Sequence, residues 1–370
     1  APGTLLAAVT VSDPDPFDIP AFSIVAGDPA GQFSIDASGR IFSAGSWEVM
    51  ESSYLLTVRV TDPSGLSAEA LVSVSVVPVP AGYTPGVVCR TIYDGIVPSG
   101  ITALTSAAIY PRSPTREVRI HEFNDRNRGD SFGSTVRCWM IAPITGNYTF
   151  WIAGDNVTEL YFNSAANPAA ATRIAYRTSS GPYQGWTLSP TQQSVVFPLV
   201  AGQICYIEAR HKEDLTWDSV SVAWEIKNTG NTATLVPREV IPARYLAAHS
   251  LNYTPKVPAM ATTVLRNAYQ GATVATASVT DLNTGDAHAW SISAGNAAGI
   301  FGIHPTTGRI FVANPSALVS AGNGNIALTV AATDNGSPQL AGSGVVTVSI
   351  SNANVLSIPT GDVVVWTSGH

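Results

Sequence analysis

One ordered set of sequence elements occurs twice in this chain, once near each end. The first copy reads Gly3-Thr4-Leu5-Leu6 through Asp13-Pro14-Asp15, then Phe33-Ser34-Ile35-Asp36 to Gly39-Arg40-Ile41-Phe42, then Val58-Arg59-Val60-Thr61-Asp62. The second reads Gly271-Ala272-Thr273-Val274 through Asp281-Leu282-Asn283, then Phe301-Gly302-Ile303 to Gly308-Arg309-Ile310-Phe311, then Val330-Ala331-Ala332-Thr333-Asp334. A unit that returns intact at long separation implies an array of separately folded modules. Within both copies apolar residues alternate with polar ones, as in Leu56-Val58-Val60 and Val346-Val348-Ile350. That period of two puts one face of each strand in a core, so the chain is expected to be all-β, a row of β-sandwich modules.

Composition narrows the setting. Only 12% of the 370 residues are charged, with 31 Gly and 25 Pro, as in extracellular all-β modules. A net charge of −7 without Lys/Arg clusters excludes nucleic acid as a partner. No apolar run approaches the roughly 18 to 20 residues that span a bilayer, so no membrane-spanning segment is expected within this chain. Three cysteines, Cys89, Cys138 and Cys205, match no zinc or redox spacing and allow structural thiols or one disulfide.

The outer copies, residues 1–80 and 253–355, resemble the cadherin-like repeat family in their Asp-x-Asp, Phe-x-Ile and Val-x-Val-x-Asp elements. The resemblance implies Ca²⁺ held by carboxylates where modules meet. The implied ligands are Asp13, Asp15, Glu48 and Asp62 in the first copy, and Asp281, Asn283 and Asp334 in the second. Solvated turn carboxylates are the alternative. The family's acidic linker is replaced by Val77-Pro78-Val79-Pro80 and by Ser351-Asn352-Ala353-Asn354, and proline stiffens a linker without metal.

The second copy has an opening segment, Asn252 to Leu265, that the first lacks. Residues 356–370, with Val363-Val364-Val365-Trp366, read as the opening strand of a following or neighbouring module. Writing His370 directly before Ala1 restores a continuous module opening. Two arrangements fit: a head-to-tail polypeptide, or separate copies donating strands to one another as an open-ended fibre.

Residues 86–247 hold most of the aromatic side chains and a second set of strand signals. The elements Gly133-Ser134-Thr135-Val136-Arg137, Pro143 to Phe150, Asp155 to Leu160 and Tyr206 to Glu213 resemble the protective-antigen domain family, a lectin-like β-sandwich. Sugar-binding members hold Ca²⁺ with an Asp-Asp pair and a later loop, and the ion accepts sugar hydroxyls. The resemblance maps that pair onto Asp155 and Asn156, and the loop onto Asp214 and Asp218, with Trp217 placed to stack on a sugar. Asn156 carries no charge, which weakens such a site. A tight turn at Asp155-Asn156 and a Trp217 covered by a neighbour is the other reading. His211 and Lys212 are read as structural.

Gly129-Asp130-Ser131-Phe132-Gly133 fits a Gly-x-Ser-x-Gly nucleophile pattern, but that pattern needs a strand-turn-helix setting this chain does not offer. The chain is therefore expected not to be an enzyme. It reads as an extracellular repeat of a bacterial cell-surface adhesin, with Ca²⁺ as cofactor and glycans and copies of itself as partners. The alternative is a structural fibre unit without a small ligand.

Overall fold

The computed structural model describes residues 3, 5–15, 18–44, 53–75, 83–215 and 217–352. Glu48, the Val77–Pro80 linker and the expected strand within 356–370 lie outside them. The chain divides into two compact units, residues 1–250 and 251–370. Both are built almost wholly of strands, as several β-sandwiches.

The second unit is the simpler. Its strands are β19 (Met260–Leu265), β20 (Thr273–Thr276), β21 (His288–Ala294), β22 (Phe301–Ile303), β23 (Arg309–Val312), β24 (Gly324–Asp334) and β25 (Ala341–Ser351). One sheet has the order β19-β25-β24-β21 and the other β20-β23-β22. The alternation read from the sequence explains the layering: Leu328, Val330 and Ala332 on β24 and Val346 and Val348 on β25 are buried against Phe301, Ile310 and Trp290. A short helix, Pro315–Ala321, is capped by Asn314, whose side chain accepts from the Ala317 amide.

The first 75 residues repeat this plan with β1 (Leu5–Ala8), β2 (Ala21–Ala26), β3 (Phe33–Ile35), β4 (Arg40–Ser43), β5 (Ser53–Thr61) and β6 (Ser67–Ser75). They form sheets β1-β4-β3 and β2-β5-β6. The equivalence extends to single backbone contacts. Gly27 and Gly295 both have positive φ, 86° and 82°. An added Cβ would lie 2.0 Å from the Leu55 carbonyl oxygen in one copy and 1.9 Å from that of Ala327 in the other. Gly295→Ala is therefore expected to cost more than about 1 kcal/mol, read as a lower urea midpoint, because both the conformation and the space exclude a side chain.

Between the copies lie β7 (Val88–Asp94), β8 (Arg116–Ile120), β9 (Asn124–Arg126), β10 (Phe132–Ile141), β11 (Gly146–Asp155), β12 (Val157–Asn163), β13 (Thr172–Arg177), β14 (Phe197–Leu199), β15 (Ile204–Glu213), β16 (Ser219–Lys227), β17 (Thr234–Val240) and β18 (Leu246–Ala248). The larger sheet runs β13-β12-β15-β10-β7-β8, with β18 beside β10; the smaller runs β14-β11-β16-β17, with β9 beside β16. Val136, Cys138 and Ile207 of the larger sheet share a core with Phe150, Ile152, Val222 and Trp224 of the smaller. Leu5 joins the same core, and its amide donates to the Tyr245 hydroxyl at 2.6 Å. All three cysteines are free. Burial, with Glu117 nearby, pushes the Cys89 thiol up to about 12, and burial does the same to Cys205, so these thiols are inert.

Candidate functional site

The inward face of the larger central sheet is apolar over most of its area and polar at one end. There β10 pairs Phe132 with Glu213 and Ser134 with His211 of β15, and pairs Val136 with Arg90 of β7. At the same end of the smaller sheet Asp155, the last residue of β11, faces Ser219, and Asp125 of β9 faces Val220. Asp155-Asn156 is the short link by which the chain passes from β11 in one sheet to β12 in the other. Its peptide is cis.

A cleft of about 410 Å³ opens at this end, lined by Asp155, Asp218, Trp217, Tyr183, Arg126 and Ser180 among others. Trp217 is 73% exposed and Tyr183 40%. The Arg126 guanidinium lies 4.7 Å from the Tyr183 ring centre. Two aromatic faces beside acidic oxygens suit a ligand with both C–H faces and hydroxyls.

Three of the residues expected to bind glycan, Asp155, Trp217 and Asp218, thus share one cleft. The fourth, Asn156, is engaged beside it: its Oδ1 accepts from the Asp214 amide at 2.9 Å and its Nδ2 donates to Ser180 Oγ at 2.7 Å. It ties the two loops that form the cleft walls. Asp214 pairs with the buried Lys212 ammonium at 2.7 Å. Asp218 is buried, taking a 3.4 Å contact from Arg90 and amide hydrogen bonds from Arg128 and Gly129.

Behind Asp155 is a residue the sequence pattern did not single out. Glu213 is 0% exposed, and neither carboxyl oxygen has a hydrogen-bond partner. Its nearest cation candidate, His211 Nε2, is 3.7 Å away. His211 is neutral, because burial and then the Arg90 charge hold its pKa well below the ordinary range. Its Nδ1 accepts from Arg90 at 2.7 Å, and its Nε2–H donates to the Asp155 carbonyl at 2.5 Å. Burial, followed by the charges of Asp155, Asp218 and Asp214, pushes the Glu213 carboxyl up to about 8. A buried, unpaired acid among other acids is what a cation would relieve.

The cadherin-like copies carry the tightest acidic groups. Among the described residues, ligand atoms of Asp13, Asp18 and Asp62 lie within 4.8 Å of one another, as do those of Asp281, Asp286 and Asp334. The second group is the better enclosed. Asp334 is buried and accepts from Asn252 Nδ2 at 2.9 Å, His288 Nε2 lies 3.0 Å from Asp281, and Asp286 Oδ2 is buried without a hydrogen-bond partner.

Residues 262–351 match the cadherin domain family. Residues 262–351 are thus a cadherin-like repeat. Dog fibrocystin (Canis lupus familiaris) is 28% identical over 108 residues, covering 27% of this chain and 3% of that protein. Human fibrocystin-L (Homo sapiens) is 28% identical over 113 residues, covering 26% and 3%. The chain therefore spans about 3% of the length of the curated relatives it matches. Among solved structures, mouse cadherin-23 EC22-24 is 17% identical with a TM-score of 0.27, over 95% of this chain and 93% of that one. The epithelial adhesin 6 A domain of Candida glabrata, in complex with Galb1-3GlcNAc, is 15% identical with a TM-score of 0.32, over 46% and 90%. Neither superposition assigns a role to a residue of this chain.

In the two cadherin-like copies the structure gathers Asp13 with Asp62 and Asp281 with Asp334, and among the described residues each group also holds a carboxylate that the motifs did not imply. Asp15 and Asn283 instead complete the local turns, their amides donating to Asp13 at 2.9 Å and to Asp281 at 3.0 Å. Asn283 Oδ1 also accepts from the Tyr253 amide at 2.6 Å. Asp18 and Asp286 take the third place. Each stands five residues after the first aspartate of its copy, a spacing that aligning the two copies exposes.

Proposed function

We propose that the chain is an extracellular adhesin segment whose central cleft binds glycan with the help of Ca²⁺, and whose cadherin-like copies hold Ca²⁺ in their aspartate groups. The observation that carries the glycan reading is the single cleft that joins the exposed Trp217 and Tyr183 to Asp155, with the unpartnered Glu213 behind it. The indole would cover a sugar C–H face, and Asp155 would take hydroxyl hydrogen bonds or share a cation with them. Asp281, Asp286 and Asp334 supply oxygen ligands of the hard type Ca²⁺ prefers, one of them orphaned. Weak sites repeated along a head-to-tail assembly of copies gain strength by avidity.

A second reading, a structural fibre unit without a small ligand, is favoured by one observation: Asp214 and Asp218 already have cationic or amide partners. A glycan screen with Ca²⁺ and with chelator separates the two. The adhesin reading expects saturable binding that falls at least about tenfold in Trp217→Ala, the cost of about 1.4 kcal/mol or more of lost stacking. An exposed indole is dispensable for folding, so circular dichroism of that variant should be unchanged. Absence of binding by the wild type leaves the fibre reading, and binding untouched by Trp217→Ala would place the glycan outside this cleft.

A further inference from the structure

We propose that the outer edge of β6 is a docking site for residues 362–366 of a second copy of this chain, which enter as a parallel strand. The proposal rests on the reading that copies associate head to tail and specifies the contact. The second cadherin-like copy is the template. There β19 runs parallel along β25, with Met260 opposite Val346, Thr262 opposite Val348 and Val264 opposite Ile350. Hairpin register fixes the equivalent edge: β24 and β25 pair Leu328 with Val346, and β5 and β6 pair Leu56 with Val72. Val72 and Val74 therefore occupy the places of Val346 and Val348.

Among the described residues β6 pairs only with β5. Along β6 itself, Val74 is buried, as Val348 is. Val72 is only partly buried, whereas Val346 is fully so. A strand edge with no partner among the described residues, beside a half-exposed valine, invites strand addition.

The chain itself carries a suitable occupant. Asp362-Val363-Val364-Val365-Trp366 is rich in β-branched residues, and the period of two would put Val364 and Trp366 on one face of a strand, two residues apart as Thr262 and Val264 are. Acceptor and donor are different surfaces of one chain, so the contact is heterologous and propagates. The first copy also limits how the strand lies. In the second copy a Cβ at Gly342 would sit 1.7 Å from the Pro255 carbonyl oxygen and one at Gly344 2.2 Å from that of Val257. The equivalent positions on β6 are Ala68 and Ala70, so the segment leading into the donated strand cannot follow the path of residues 255–257. Docking is confined to the Val72–Ser75 end.

The test is sedimentation velocity of the full chain across a wide concentration range. Wild type should form growing linear multimers, and a peptide of residues 358–370 should shorten them. Val364→Asp should weaken association at least about tenfold, because it buries an unpaired charge. Val365→Asp, on the outward face, should leave it nearly unchanged. An unchanged urea midpoint in both variants shows that neither acts through loss of folding. A wild type that stays monomeric, or equal effects of the two substitutions, overturns the proposal. Trp217→Ala should leave association intact, so failure of glycan binding and failure of strand docking are read separately.

Discussion

Arg90→Met is expected to lower the stability of the first unit by about 3–5 kcal/mol, seen as a fall in urea midpoint at constant slope. Arg90 is 0% exposed and bonds on every side. Its Nη1 reaches Asp125 at 3.0 Å and Asp218 at 3.4 Å, its Nε donates to Ser134 Oγ at 3.0 Å, and its Nη2 donates to His211 at 2.7 Å. Methionine fills much of the volume but leaves buried Asp218 without its cation, and that uncompensated charge sets the magnitude. Asp125 keeps Arg128, at 2.7 Å, so its share of the loss is smaller. The acid limb carries the same signature. Burial would raise the Asp125 carboxyl, but Arg128 and Arg90 outweigh it and hold it below the ordinary value. A depressed folded pKa stabilises above the unfolded value near 4 and is lost as pH falls through the folded one. Arg90→Met should shrink that acid-side loss.

The sandwiches were legible because their cause is local. Alternation along Leu328-Val330-Ala332 and Val346-Val348 needs no knowledge of partners to place those residues inward, and the structure buries all five. The carboxylates were legible as types but not in their pairings. Asp214 and Asp218 stand in the expected loop, and Asp214 pairs with Lys212 two residues away, yet Arg90 reaches Asp218 only through the register of β15, β10 and β7. Glu213 was hidden for the same reason. It closes the Tyr206-to-Glu213 element with nothing in the pattern to mark it, and it is buried because β15 lies between β12 and β10 in the middle of a sheet. Sheet order is non-local information that neither spacing nor composition carries.

Glu213→Gln should stabilise the protein at alkaline pH in a chelating buffer, by on the order of 2 to 4 kcal/mol above about pH 8 and by little near pH 5. The sign follows from a carboxyl raised to about 8 in the folded chain against an ordinary value of 4.5. The folded state holds a proton that the unfolded chain has already released. Stability therefore falls as pH climbs from about 4.5 to 8 and levels off above, once both states are ionised. Glutamine has nearly the same shape and no charge to bury, so its profile lacks that fall. His211, buried and neutral, acts in the opposite direction at lower pH, since the unfolded chain binds the proton it refuses. It is present in both proteins and cancels in the difference between them. Added Ca²⁺ sharpens the comparison. An ion beside Glu213 favours the ionised carboxylate, so it should flatten the alkaline fall in the wild type and leave Glu213→Gln unmoved. Parallel profiles for the two proteins would instead mean that Glu213 finds a partner in solution, and the case for a cation behind Asp155 would go with it.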